Sequence, residues 1–136
     1  MKQMIKTLVL IGVLFLTIAC NKTNTFDFHA EVMGEVQLNT QFDILVETTN
    51  ISGNPFKYEG SSTLVGAVIY LRGKTGDTIY PQDIPVTKDY RHMVIEKNQT
   101  IERTWTFYGI DEVGYYDLYF EYFGESKKIE NFIEVK

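Results

Sequence analysis

Apolar and polar residues alternate along most of the chain after residue 25. The alternation covers 26–32 and 42–47, and its apolar positions are Phe26, Phe28, Ala30, Val32, Phe42, Ile44 and Val46. A period of two places such side chains on one face of a β-strand. The pattern therefore predicts two strands, each with one buried face.

Further strands are predicted between turn residues. The run 64–71 (LVGAVIYL) is apolar at both alternating sets of positions, which is typical of a central strand covered on both faces. Gly73–Gly76 predicts a turn, and 77–80 predicts a short strand that Pro81 ends. Residues 81–92 (PQDIPVTKDYRH) show no period and are predicted to be irregular, whereas 100–108, 115–123 and 128–135 each predict a strand.

About seven strands in roughly 110 residues, with no helical period, are typical of an all-β, immunoglobulin-like antiparallel sandwich. A small lipocalin-like barrel is the alternative. We expect one core to bury Ile44, Val68, Trp105, Tyr116, Leu118 and Phe120. In many such sandwiches a tyrosine at the start of strand F bonds back to the preceding corner, and either Tyr115 or Tyr116 is placed to do so.

The first 19 residues have the pattern of an export signal. Lys2 and Lys6 precede 13 uncharged residues, 7–19, a stretch too short to cross about 30 Å of hydrocarbon. A basic start followed by a short apolar run is typical of a secretory signal peptide. The domain is therefore predicted to be extracytoplasmic.

The lone cysteine, Cys20, lies at the border between this apolar run and the polar residues 21–25. Ile18, Ala19 and Cys20 resemble the lipobox of bacterial lipoproteins, although Thr17 replaces the usual leucine. The resemblance implies that Cys20 carries diacylglycerol, becomes the new N-terminus and anchors the chain to the cell membrane, in a Gram-positive bacterium. Residues 20–25 are then a short tether and 26–136 the sandwich domain.

The mature charge argues against several partners. Without Lys2 and Lys6 the chain keeps 11 basic and 18 acidic residues, a net charge of −7. Lys and Arg form no cluster larger than a pair, so nucleic acid and anionic headgroups are not expected as partners. The glycosylation patterns at Asn21, Asn50 and Asn98 are interpreted as coincidental in a bacterial lipoprotein.

The sequence holds no recognisable catalytic set. Its two histidines, His29 and His92, lie far apart, and neither G-x-S-x-G nor H-E-x-x-H is present. Asp111 and Glu112 lie between Gly109 and Gly114 and are interpreted as a solvated turn. We therefore predict neither an enzyme nor a metal or cofactor site.

Four pieces of the chain resemble the bacterial intracellular serine-proteinase inhibitor family, whose members have an immunoglobulin-like fold. They are TNISGNP at 49–55, VIYLRGKTGDTIY at 68–80, EKNQTIERTW at 96–105 and GYYDLYFEYF at 114–123. Residues 81–94 depart from the family pattern, and an export signal is foreign to an intracellular family. The resemblance implies the fold and suggests protease inhibition.

Taken together, these patterns favour a membrane-anchored, non-enzymatic binding module for a protein or envelope partner. The region 77–97 is predicted to be the recognition segment, with contacts from Tyr80, Tyr90, Arg91 and Met93. Two alternatives remain open at this stage. One is an inhibitor of an extracytoplasmic protease, and the other is an exclusion or immunity lipoprotein of a mobile element.

Overall fold

The computed structural model describes residues 23–136, which form nine β-strands and no helix. The strands are β1 (Phe26–Met33), β2 (Phe42–Asn50), β3 (Phe56–Gly60), β4 (Val68–Gly73), β5 (Thr78–Ile79), β6 (Arg91–Ile95), β7 (Thr100–Phe107), β8 (Gly114–Tyr122) and β9 (Glu125–Val135). Within these residues no helix is long and apolar enough to span a membrane. The predicted signal peptide and Cys20 lie outside the described residues.

The strands form three antiparallel sheets. One has the order β1-β2-β7, one the order β5-β4-β8-β9, and β3 pairs with β6 in a third. The two larger sheets pack face to face: the ring of Phe28 on β1 stacks on that of Phe120 on β8 at 5.6 Å. The indole of Trp105 on β7 donates a hydrogen bond to the carbonyl of Ala67, just before β4, at 3.1 Å. The predicted all-β sandwich is confirmed, with nine strands instead of about seven.

The core follows the predicted alternation with one error. Five of the six predicted core residues are at most 5% exposed, namely Ile44, Trp105, Tyr116, Leu118 and Phe120. Val68 was predicted wrongly, because it is 37% exposed while Ile69 and Leu71 face the core at 3% and 0%. Strand β4 is internal to its sheet, yet only one of its faces is covered, so its alternate residues cannot all be buried.

Two short strands were not predicted. β3 alternates intermediate and exposed positions, and β6 begins at Arg91 inside the stretch predicted to be irregular. Neither shows the buried alternation of the longer strands, since only Ile95 in them is fully enclosed, at 1% exposure. Their pairing runs from Phe56 opposite Ile95 to Gly60 opposite Arg91.

The corner before β8 is fixed by a tyrosine, as predicted. The Tyr116 hydroxyl donates a hydrogen bond to the Glu112 carbonyl at 2.8 Å, four residues earlier, while Tyr115 is 48% exposed. The structure thus selects Tyr116 from the two possibilities that the sequence left open. Burial raises the pKa of Tyr116, so the hydroxyl remains a donor at neutral pH.

Candidate binding surface

A row of aromatic side chains crosses the outer face of the four-stranded sheet. Tyr70 on β4 lies directly opposite Tyr119 on β8, and their rings stack at 4.9 Å with 5° between the planes. Tyr80, just after β5, extends the row at 5.9 Å from Tyr70. The Arg72 guanidinium lies 5.4 Å from the Tyr119 ring centroid. The row exists because outward positions of paired strands meet across the sheet.

A cleft of about 480 Å³ separates this outer face from the irregular segment after β5. The sheet contributes Val68, Tyr70 and Arg72, and the segment contributes Tyr80, Ile84 and Val86. Several apolar side chains of the cleft are exposed: Tyr80 at 69%, Val86 at 54%, Leu64 at 41% and Val68 at 37%. Such clustering differs from the scattered single apolar residues of ordinary surfaces.

A second lobe of about 680 Å³ continues the cleft toward the β8–β9 turn. Leu64, Val68 and Glu121 line both lobes, and Phe123 lines the far end of the second. Phe123 and Gly124 form the two-residue turn with φ of 45° and 77°. A bulky residue is disfavoured at such a φ, and Phe123 is held there by rings packed around it, including Phe56 and Tyr58, each 5.0 Å away.

The loop before β6, residues 87–89, is tied by hydrogen bonds to residues 61–63, which follow β3. It is called the tied loop below. The Thr87 amide donates to the Thr63 hydroxyl at 3.1 Å, and the Ser62 hydroxyl donates to the Asp89 carboxylate at 2.6 Å. The Thr87 hydroxyl also bonds to Asp89, and Arg91 forms an ion pair with it at 2.9 Å. Hydrogen bonds from Ser62 and Thr87 lower the pKa of Asp89 to about 2, so the carboxylate accepts these bonds at neutral pH.

The predicted contact residues lie in separate parts of the structure. Tyr80 lines the cleft, whereas Tyr90, 85% exposed, and Arg91 flank the tied loop. Met93 lies on β6 opposite Tyr58 and is half-buried. The four residues therefore do not form one patch.

Tyr70, Arg72 and Tyr119 were not predicted from the sequence as surface residues of a site. Their signal was present in the strand alternation, since they occupy the outward positions between core residues of β4 and β8. Alternation alone did not reveal that these positions face each other across two paired strands. Cys20, the predicted lipid attachment site, lies outside the described residues.

Side chains of the types that act in catalysis or bind metals are dispersed in the described part of the chain. His92 lies 3.3 Å from Glu59, and both side chains are largely exposed. Asp111 and Glu112 are also exposed. Within residues 23–136, no three His, Cys, Asp or Glu side chains are grouped so that they could hold a metal ion.

Comparison with known proteins yields distant structural matches. No protein-family model matches the chain, and no curated protein matches it significantly. It is similar to part of a β-glucosidase from Listeria innocua, solved as a D270A mutant with laminaribiose, at 14% identity and a TM-score of 0.49 over 82% of this chain. The enzyme solved without that ligand gives 15% identity and a TM-score of 0.48 over 81%. The chain spans 16% of the length of that enzyme.

Proposed function

We propose that this chain is a membrane-anchored, non-enzymatic binding module that recognises a protein partner through the cleft and the tied loop beside it. The observation that carries the proposal is the gathering of exposed apolar residues, with Tyr80 and Val86 more than half exposed, on one concave surface. Protein interfaces have this composition, with aromatic and arginine anchors inside a polar rim. Here Arg72, Asp83 and Glu121 supply charged groups around the apolar cleft.

The point where the chain enters the domain supports a membrane-proximal orientation. The Thr25 amide donates to the Glu125 carboxylate at 2.6 Å, and the Thr25 carbonyl accepts from Ile51 at 2.8 Å. The entry point thus lies beside the β8–β9 turn, which closes the larger lobe. With Thr25 fixed, the five steps from Cys20 reach at most about 18 Å. A lipid on Cys20 would keep this end of the cleft near the bilayer, at high effective concentration toward a membrane-held partner.

The proposal predicts that charge placed in the cleft abolishes capture without unfolding the domain. We would replace Leu64 and Val86 together by Asp, because both are exposed and lie outside the strands. The matched control is Val113→Asp, at a valine that is 62% exposed against 54% for Val86 and that lines neither lobe. Capture of the partner would be measured by crosslinking in cells, with a thermal melt of each purified variant.

We expect the double variant to lose capture at least about tenfold, since each buried, unpaired carboxylate costs more than 1 kcal/mol at an interface, while Val113→Asp captures normally. Normal capture by the double variant would refute the cleft as the binding surface.

Cys20→Ala should leave the precursor unprocessed or release the chain from the membrane, and should also weaken capture.

A further inference from the structure

The end of the sandwich where the chain enters the domain is built from uncharged segments. Their sequences are TNT, NISGNPF, NQT and YFG, at 23–25, 50–56, 98–100 and 122–124. We call these four segments the entry end. The connections at the opposite end, 34–41, 74–77 and 108–113, carry charges instead: Glu35, Lys74, Asp77, Asp111 and Glu112.

Hydrogen bonds hold the entry end together around Thr25. The Ile51 amide donates to the Thr25 carbonyl at 2.8 Å, and the Asn98 amide donates to the Asn50 carbonyl at 3.0 Å. Residues 23–25 also line one cleft with residues 123–126 of the β8–β9 turn. The 22 residues before the described part of the chain therefore join the domain at this end.

Two large apolar side chains are exposed beside this junction. Ile51 is 50% exposed and Phe123 is 52% exposed. Phe123 has a φ of 45°, where asparagine or glycine would be unstrained, and its ring lies 6.4 Å from Phe26 and 5.0 Å from Phe56. The turn thus presents an aromatic ring at its tip despite an unfavourable backbone conformation. Exposed aromatic rings of this kind are typical of protein surfaces that meet a bilayer interface.

We propose that the entry end rests on a lipid bilayer, with Ile51 and Phe123 inserted at the boundary between headgroups and acyl chains. Apolar side chains of proteins that lie on a membrane enter this boundary by about 5–10 Å. The inference rests on the proposed function, because it adds an orienting contact to the lipid anchor. An anchor on a short tether sets only the distance of the domain from the bilayer, whereas a second contact sets which face looks outward.

The charges around the entry end are mixed, which decides the kind of lipid. Lys57 and Lys97 are exposed at its rim, and so is Glu96. A lysine can lay its apolar stem along the acyl boundary while its ammonium stays in water. Because both signs are present, insertion depends on apolar contact and not on anionic headgroups. Zwitterionic phosphatidylcholine should therefore suffice, and salt should have little effect.

The test uses the full chain, lipid-modified at Cys20, in vesicles of phosphatidylcholine brominated on its acyl chains. Phe123→Trp places an indole at the proposed insertion point, and Val113→Trp places one at a 62% exposed position of the opposite end. Trp105 is 5% exposed in the core and adds the same background to both. We expect bromine to reduce the emission added by Phe123→Trp at least about twofold, and to leave that of Val113→Trp unchanged. About 0.5 M NaCl should not alter either result.

A charge beside the insertion point provides a second variant. Ile51→Asp in the Phe123→Trp chain should restore at least about half of the quenched emission, because an unpaired carboxylate is costly to remove from water. Tyr108→Asp is the matched control, since Tyr108 is also exposed and outside the strands but lies at the opposite end, and it should restore none. Thermal melts of both should match that of the Phe123→Trp chain.

Three results would each overturn the inference: no quenching at position 123, equal quenching at positions 113 and 123, or quenching that appears only when anionic lipid is added. A chain that floats with the vesicles but is unquenched at position 123 keeps its anchor and lacks only the orienting contact. Capture lost through Leu64 and Val86 would still uphold the proposed function in those cases.

Discussion

Phe120→Ala is expected to lower the free energy of unfolding by roughly 3–5 kcal/mol, the usual cost of removing a fully buried phenylalanine. Phe120 is 0% exposed and stacks on Phe28, so its ring fills the space between the two large sheets. Domains of this size are stable by only about 5–15 kcal/mol, so the variant should melt well below the parent or fail to fold. Urea unfolding followed by tryptophan fluorescence at Trp105 measures the change.

Tyr115→Ala is the matched control on the same strand. Tyr115 is 48% exposed and lies outside the core, so its truncation should change stability by no more than about 0.5 kcal/mol. Equal losses in the two variants, or a Phe120→Ala melt identical to that of the parent, would show that the packing of β8 has been misassigned.

Asn50→Leu is expected to cost about 1–3 kcal/mol, because the buried carbonyl of Ile95 is left without its partner. The Asn50 side chain is 0% exposed and uses all its bonding capacity. Its amide nitrogen donates to the carbonyls of Asn54 and Ile95 at 2.8 and 2.9 Å, and its oxygen accepts from the amide and hydroxyl of Ser52 at 3.0 and 2.7 Å. Leucine has a similar volume but replaces none of these bonds.

The loss should be centred on the β3–β6 pair, because the bond to the Ile95 carbonyl connects β2 to that small sheet. Hydrogen exchange should therefore accelerate first at the amides of β6. Asn54→Leu serves as the control, since the structure uses the backbone carbonyl of Asn54 and the residue is exposed. Unchanged exchange in β6 of Asn50→Leu would contradict this role.

The sequence predicted the long strands because their alternation is strong, as in Phe26, Phe28 and Ala30, all at most 8% exposed. Prediction from the sequence failed where the burial of a residue, or the existence of a strand, depends on pairing with a strand distant in the sequence. Val68 and Ile69 are both β-branched and apolar, and only the register against β8 decides which of them faces the core. β3 and β6 are stabilised by pairing with each other, a contact across more than 30 residues that no local pattern reveals.

The binding surface was harder to predict than the fold. Tyr80 could be chosen as an exposed aromatic in a loop-rich segment, but its neighbour Tyr70 required the topology. Asn50 was interpreted only as a chance glycosylation pattern, whereas Asn50 and Ser52 form a buried structural motif. The hydrogen-bond network that fixes the loop before β6 joins 61–63 to 87–91, so it emerges only once β3 and β6 are paired.

Photo-crosslinking in cells tests the central claim most directly, since it asks which surface of the anchored chain touches a partner. A benzophenone amino acid would be placed at Val86, in the cleft, and at Val113, outside it, in otherwise unchanged chains. We predict one discrete crosslinked species from the membrane fraction for position 86 and none for position 113. A crosslink at position 113 with none at 86 would contradict the account.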